Sequence, residues 1–225
     1  MEGKRSFSKL QNLKRYGLLL LPVGCLCVFL LLHHYIWSAA TTGCCLLFVM
    51  RVKAGERCYV DGALLTGAFL LSILGDRMLG YVSGGFLYGV AFFFSAHICY
   101  LLFCLRHGRI VKKLLVVLTV VYLVYYVMGL YPAIEKPSVR VAVLLYLLVS
   151  CLSFSAAWGL ELSKRCRNLF VGGIACLVFS DTLISLHNYL GVSSGYFLML
   201  PTYYASQILI TAAVMGNRNF ENEVV

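Results

Sequence analysis

The sequence predicts an all-α fold, a polytopic membrane helical bundle with eight transmembrane helices and both termini cytoplasmic. Hydrophobic residues make up 61% of the 225 residues, the mean hydropathy is +0.86, and only 12% of the residues are charged. A soluble domain of this size cannot bury so much apolar surface. A third observation, the placement of the basic residues, sets the number of spans and their orientation.

The chain divides into three parts. Residues 1–15 form a basic segment that is predicted to be cytoplasmic, residues 16–216 form the transmembrane domain, and residues 217–225 form a short polar tail. The basic start, the apolar run after it and the small residues Ser38, Ala39 and Ala40 also resemble a signal peptide with its cleavage site. Because the run is long for a signal peptide, an uncleaved first span is favoured.

Apolar runs predict the spans, since a helix needs about 20 residues to cross a membrane. The second run is short and gives the weakest of the predicted spans. The eight predicted spans cover residues 16–35, 37–52, 59–79, 86–105, 110–131, 139–160, 169–189 and 196–216.

The basic residues favour this count. With eight spans and a cytoplasmic N-terminus, all but three of the 19 lysines and arginines lie on the cytoplasmic side, the exceptions being Arg77, Lys136 and Arg140. If the second span did not cross, the basic residues would divide almost evenly, against the positive-inside rule. The same rule accounts for the net charge of +10, so the sequence predicts no nucleic-acid partner.

Two aspartates stand out within the spans. Asp76 follows Gly75 near the outer end of the third span, and Asp181 follows Ser180 in the outer half of the seventh. An ionisable residue at membrane depth costs about 3 kcal/mol or more, which makes each a candidate functional residue. The alternative is that they only form hydrogen bonds between helices.

Other polar side chains recur at helical spacing in two more spans. His97 and Tyr100 lie near mid-depth in the fourth span, and Tyr203, Tyr204 and Gln207 lie in the outer half of the eighth. Such stripes must face protein or water. We expect them to meet the aspartates in one pocket that is open to the non-cytoplasmic side, although interhelical hydrogen bonding would also explain them.

Two carboxyl groups in a partly dry cavity can act as an acid and a base. Glycoside hydrolysis uses such a pair through an oxocarbenium-like transition state, and hydrolysis of a vinyl ether follows related chemistry. The sequence has no serine-nucleophile, zinc-protease or phosphate-loop motif, and its cysteines form no Cys-x-x-Cys pair.

The chain resembles the lysoplasmalogenase (YhhN-like) family of membrane proteins, animal type, from about Gly62 onward. Four motifs in order carry the resemblance: Gly75-Asp76, Ala96-His97-x-x-Tyr100, Phe179-Ser180-Asp181 and the stretch from Thr202 to Thr211. The resemblance implies eight spans in the endoplasmic reticulum membrane. It also implies hydrolysis of the vinyl ether of choline or ethanolamine lysoplasmalogens to a fatty aldehyde and glycerophosphocholine or glycerophosphoethanolamine, with no metal or organic cofactor.

On this interpretation the partners are a lysophospholipid substrate and membrane lipid. Asp76 and Asp181 form the acid/base pair, without a decision on which is which. The residues that would orient water and the glycerol backbone are His97, Tyr100, Tyr203, Tyr204 and Gln207.

The chain departs from the family pattern at two places. The second span lacks the lysine and the Leu-Pro step that are usual there, and Arg77 follows Gly-Asp where the family has a small or apolar residue. We hypothesise that Arg77 supplies the missing cation to the substrate phosphate. The departures also leave room for a member that binds lipid without turnover.

Two other functions remain open from the sequence. An intramembrane aspartyl protease also uses two buried aspartates, but position 73 is Ile rather than Gly, and the Tyr-Asp and Pro-Ala-Leu motifs are missing. A non-catalytic lipid transporter or receptor would suit the same polar stripes. The sequence leaves head-group and chain-length preference open, and does not decide between a monomer and a homodimer.

Overall fold

The computed structural model describes residues 17, 19–32, 35–50 and 56–216. The predicted basic segment, 1–15, and the predicted tail, 217–225, lie outside the described residues. Within these ranges the chain is helical and has no strand, and eight helices follow one another, each at the place of one predicted span. They are α1 (Leu20–Leu32), α2 (Tyr35–Met50), α3 (Glu56–Tyr81), α4 (Phe86–Arg106), α5 (Lys112–Tyr125), α6 (Pro137–Trp158), α7 (Lys164–Leu190) and α8 (Met199–Met215).

Two of these helices have irregular extensions. Helix α5 continues through a π-helical turn, Tyr126–Leu130, and a last α-helical turn, Tyr131–Ala133. A 3₁₀ turn, Tyr196–Leu198, leads into α8. With these turns included, the six helices from α3 to α8 are long and apolar enough to cross a membrane, as expected of a multi-pass protein.

The first two helices are shorter. Helix α1 has 13 residues and α2 has 16, both below the roughly 20 residues of a full crossing. The structure therefore shows six candidate spans in the described part of the chain. The eight-span topology with cytoplasmic termini stays a prediction.

Helix α7 begins at Lys164, five residues before the predicted start at 169. The cause is an N-cap: the Ser163 hydroxyl accepts a hydrogen bond from the backbone N–H of Cys166 at 3.4 Å. The helix ends at Gly191, whose φ of +66° is the left-handed conformation that favours glycine. Hydropathy detects only the apolar middle of such a helix.

Six of the helices form a ring. Each helix contacts the next in the order α2, α3, α4, α6, α7, α8, and α8 contacts α2 to close the ring. Helix α1 contacts α2 and α8, while α5 packs against α6 and exposes a stripe of valines along its length. The interior of the ring is thus the place where polar residues of different helices can meet away from lipid.

Two glycines set the spacing of the helices that carry the aspartates. A Cβ at Gly75 would lie 2.8 Å from the ring of Phe93 in α4, and a Cβ at Gly173 would lie 2.6 Å from Ile210 in α8. Small residues at these positions let the backbones approach closely. The pair α3–α4 is therefore held tightly next to Asp76, and the pair α7–α8 is held tightly about two helical turns before Asp181.

One end of the ring carries a buried ion cluster. The Asp61 carboxylate is 2% exposed and accepts hydrogen bonds from Arg106 Nε and His107 Nε2, both at 2.7 Å. Next to it, the backbone N–H of Arg109 donates to the carbonyl of Gly159 at 3.1 Å. The basic loops after α4 and α6 therefore lie side by side, as expected of two loops on the same side of a membrane.

Candidate functional site

A cavity of about 340 Å³ lies inside the ring at the end opposite the ion cluster. Residues from α3, α4, α7, α8 and the turn before α8 line it, and Tyr81, Asn188 and Tyr196 lie towards its outer end. Asp76 and Asp181 both line this cavity, together with Tyr203 and Tyr204. Its volume falls in the usual range for a small-molecule site, about 300–1,000 Å³.

Asp181 is held by two neighbouring helices. The Tyr146 hydroxyl of α6 donates to Asp181 Oδ2 at 2.7 Å, and His97 Nε2 of α4 lies 3.3 Å from the same oxygen. His97 is 1% exposed, and its ring meets the ring of Tyr146 edge to face at 5.4 Å. The carboxyl group is thus fixed in position by groups that leave its cavity side open.

His97 also has a polar contact on the side of its ring that faces away from Asp181. Its Nδ1 lies 2.9 Å from the hydroxyl oxygen of Ser153, a fully buried residue of α6. The hydroxyl of Ser153 also lies 3.1 Å from the carbonyl of Ser150. Ser153, His97 and Asp181 therefore form a continuous series of polar contacts, and Tyr146 of α6 contacts Asp181 directly.

Asp76 is held much more loosely. The Tyr204 hydroxyl donates to Asp76 Oδ2 at 3.5 Å, at the limit of a hydrogen bond. The phenol of Tyr203 interacts with Asp76 electrostatically, but its buried oxygen has no hydrogen-bond partner among the described residues. The ring of Tyr203 packs edge to face on Phe93 at 5.7 Å, which fixes its position beside the cavity.

A second polar layer lies beneath the cavity. The Tyr100 hydroxyl donates to Gln207 Oε1 at 3.3 Å, and both residues are fully buried. Ser72 Oγ and Gln207 Nε2 are buried and have no hydrogen-bond partner in the described part of the chain. Such groups can bind a substrate hydroxyl or a water molecule.

The structure thus brings together seven of the eight residues singled out in the sequence. Four line the cavity, His97 contacts Asp181, and Tyr100 and Gln207 lie beneath. Arg77 is the exception, because its side chain is exposed and does not line the cavity.

Sequence reasoning missed Tyr146 and Ser153. With Ser150 they form a polar stripe at positions i, i+4 and i+7 of α6, the same signal that singled out residues in other spans. The sixth span was interpreted only as an apolar run. The stripe would have predicted a further polar face towards the ring interior.

A narrower, mostly apolar cleft adjoins the cavity. It lies between α4, α5, α6 and α7, and its apolar lining includes Val90, Val143, Leu147 and Val178. The cleft and the cavity share Asp181, which stands where the polar space meets the apolar one. No group of three or more His, Cys, Asp or Glu side chains that could hold a metal ion occurs within the described ranges.

Comparison with known proteins gives one family. The model of the YhhN family matches residues 33–214, which is most of the chain. No curated protein and no solved structure matches the sequence.

Proposed function

The chain belongs to the YhhN family, which is associated with lysoplasmalogenase activity, and on that premise we propose that it hydrolyses the vinyl ether bond of lysoplasmalogens. The products would be a fatty aldehyde and glycerophosphocholine or glycerophosphoethanolamine. The observation that carries the proposal is that Asp76 and Asp181, from two distant helices, line one cavity. A pair of carboxyl groups in one cavity is what acid/base hydrolysis of such a bond requires.

The two joined spaces suit a single-chain lipid. A lysoplasmalogen has a polar glycerophospho head, a vinyl ether and a long hydrocarbon chain, in that order. The cavity offers aspartates and tyrosines to the head, and the cleft offers aliphatic side chains to the hydrocarbon. Asp181 stands at the junction, where the vinyl ether of a lipid bound in this way would lie.

The first half of the reaction uses both carboxyl groups. One aspartate, as the acid, gives its proton to the vinyl carbon farther from the ether oxygen. The π electrons form the new C–H bond, and the oxygen lone pair stabilises the resulting oxocarbenium ion. The other aspartate, as the carboxylate, takes a proton from water while the water oxygen bonds to the cationic carbon, which gives a hemiacetal.

The second half restores both groups. The hemiacetal hydroxyl returns a proton to the aspartate that acted as the acid, and its electrons form the aldehyde carbonyl. The bond to the glycerol oxygen breaks, and that oxygen takes the proton from the aspartate that had accepted one from water. The sum is one water and one vinyl ether giving one aldehyde and one alcohol.

The remaining candidates would serve binding and orientation. Tyr203 and Tyr204 would hold the free glycerol hydroxyl at the cavity wall, while Tyr100 and Gln207 beneath would orient water. His97 would orient Asp181. Arg77 would reach a phosphate only from outside the cavity lining, since its side chain is exposed.

We place the protein in the endoplasmic reticulum membrane, with eight spans and both termini cytoplasmic. In that topology the cavity end of the ring faces the lumen. This orientation rests on the distribution of basic residues and on the neighbouring basic loops at the opposite end.

The test is mass spectrometry of the purified protein, reconstituted in vesicles and incubated with a lysoplasmalogen or with its saturated alkyl-ether analogue. We expect loss of the vinyl ether and equimolar release of aldehyde and glycerophospho alcohol, with the analogue untouched, since it has no double bond to protonate. Binding or movement of the intact lipid between leaflets without aldehyde release would overturn the proposal and support a lipid transporter.

A further inference from the structure

We propose that Asp181 is the carboxylate that activates water, that Asp76 is the proton donor, and that Tyr146 is the positioning residue that fixes this division. The inference deepens the proposed function and rests on it. It is carried by the unequal hydrogen bonding of the two aspartates, which the sequence does not reveal.

Asp181 Oδ2 has two close polar neighbours. Tyr146 donates to this oxygen at 2.7 Å, and His97 Nε2 approaches it at 3.3 Å. A phenol donates a short, strong hydrogen bond to a carboxylate oxygen, because the acceptor is charged. A donor aimed so closely at this oxygen suits a carboxylate that serves as the base.

The His97 ring is held in one orientation. Its Nδ1 lies 2.9 Å from Ser153 Oγ. The Ser153 hydroxyl donates to the carbonyl of Ser150 at 3.1 Å, so its oxygen accepts from His97 Nδ1. Ser153 thus acts on Asp181 by fixing the orientation of the His97 ring beside it.

The hydrogen bond to Asp76 is longer than the one from Tyr146 to Asp181. The bond from the Tyr204 hydroxyl to Asp76 is 3.5 Å long, and Leu79, Gly80 and Phe93 line the cavity beside it. The phenols of Tyr203 and Tyr204 both face Asp76. Neither comes as close as the 2.7 Å of Tyr146 to Asp181, so the ionised form of Asp76 has weaker donors. The two aspartates therefore differ in the way that a proton donor and a water-activating base must differ.

Other titratable groups face Asp181 from each packed element. Tyr122 of α5 interacts with it electrostatically, while its hydroxyl bonds to Thr182 at 3.0 Å. Asp76 of α3 and the two tyrosines of α8 line the cavity shared with Asp181. No lysine or arginine lines either space, so within the described site the donor that stabilises the carboxylate is Tyr146 of α6.

The assignment fixes the direction of each proton. Asp76 gives its proton to the vinyl carbon and later recovers one from the hemiacetal hydroxyl. Asp181 takes a proton from the attacking water and later gives it to the departing glycerol oxygen. Each carboxyl group ends the cycle in its starting state.

The test is the pH profile of kcat/KM for vinyl ether hydrolysis in the wild type and in Tyr146→Phe. The base controls the acidic limb, and the acid controls the basic limb. Tyr146→Phe removes the close donor to Asp181, so the acidic limb should differ from that of the wild type. The basic limb should stay in place.

Tyr125→Phe is the matched control. Tyr125 also bonds to α7, but its partner is Ser185, at 2.8 Å, and not Asp181. Removal of this hydroxyl should leave both limbs where they are. Ser153→Ala is a second variant, which removes the partner that orients His97 and should change the acidic limb by less, even if Tyr146→Phe does not fold.

Two outcomes overturn the assignment. One is an active Tyr146→Phe whose basic limb moves instead, and the other is an unmoved profile in both Tyr146→Phe and Ser153→Ala. A wild type that consumes no vinyl ether under any condition refutes the proposed function itself, and the assignment with it.

Discussion

Asp76 on α3 and Asp181 on α7 line the same cavity, although four helix-to-helix connections separate them along the chain. Each is placed there by a tight contact of its helix, through Gly75 against Phe93 and through Gly173 against Ile210. The cavity therefore depends on the helix packing, and the chemistry depends on the two carboxyl groups.

Replacement of either aspartate by asparagine should stop hydrolysis. Asp76→Asn and Asp181→Asn keep the size of the side chain but remove the acid or the base, which contributes about 10²–10⁴-fold to a rate. Aldehyde release, measured by mass spectrometry, should fall at least about 100-fold in each. Glu161→Gln, at an exposed residue paired with Arg109, is the control and should keep full activity. Full activity in both aspartate variants would refute their catalytic role.

The apolar cleft should select for chain length. Val143→Phe fills the cleft with a larger ring, so kcat/KM for a long-chain substrate should fall relative to that for a short-chain one. Val141→Phe, on the exposed side of the same helix, should leave the ratio unchanged. Equal ratios in both variants would show that the hydrocarbon binds elsewhere.

Two adjacent glycines of α7 should respond differently to alanine. A Cβ at Gly173 would meet Ile210 at 2.6 Å and the carbonyl of Ser206 at 3.0 Å, so Gly173→Ala should cost about 1–3 kcal/mol of stability. At Gly172 the nearest atom, of Leu209, is 3.8 Å away, and Gly172→Ala should be neutral or gain up to about 1 kcal/mol. Thermal unfolding in detergent measures both. Equal unfolding temperatures would contradict the close approach of α7 and α8.

The ion cluster at the other end should matter for stability and not for chemistry. Asp61→Asn removes the buried carboxylate that accepts hydrogen bonds from Arg106 and His107, and loss of a hydrogen bond that involves a charged group costs about 1.5–3 kcal/mol. The exposed pair of Arg109 and Glu161 is worth at most about 1 kcal/mol, so Glu161→Gln should unfold like the wild type. Hydrolysis per folded Asp61→Asn molecule should be retained. A specific loss of kcat without loss of stability would place Asp61 in the mechanism instead.

The helical architecture was predictable because a lipid environment allows few backbone conformations. A chain that crosses it must satisfy its backbone internally, so long apolar runs become helices. A helix lies at each of the eight predicted spans in the described part of the chain, and six of these helices are long and apolar enough to cross. Helix ends were less predictable, because a cap such as Ser163 is polar and extends α7 beyond its apolar run. Asp61 escaped notice because its partners come from the end of another helix.

The site was predictable only in part. Asp76 and Asp181 stand out because a carboxyl group at membrane depth is costly, and His97 because it repeats with Tyr100 at helical spacing. Tyr146 did not stand out, since a tyrosine or serine in a span is ordinary until its partner is known. Arg77 stands out in the sequence but is not part of the cavity. Its neighbour Asp76 lines the cavity, whereas the Arg77 side chain is exposed.

The most direct test of the central claim is to run the reaction in D₂O and to reduce the aldehyde at once, before it can exchange. Protonation at carbon predicts one deuterium on the carbon next to the aldehyde carbon in the wild-type product, and Asp76→Asn and Asp181→Asn should form no more aldehyde than the uncatalysed reaction. An aldehyde released by the wild type without that deuterium would contradict acid catalysis by the aspartate pair.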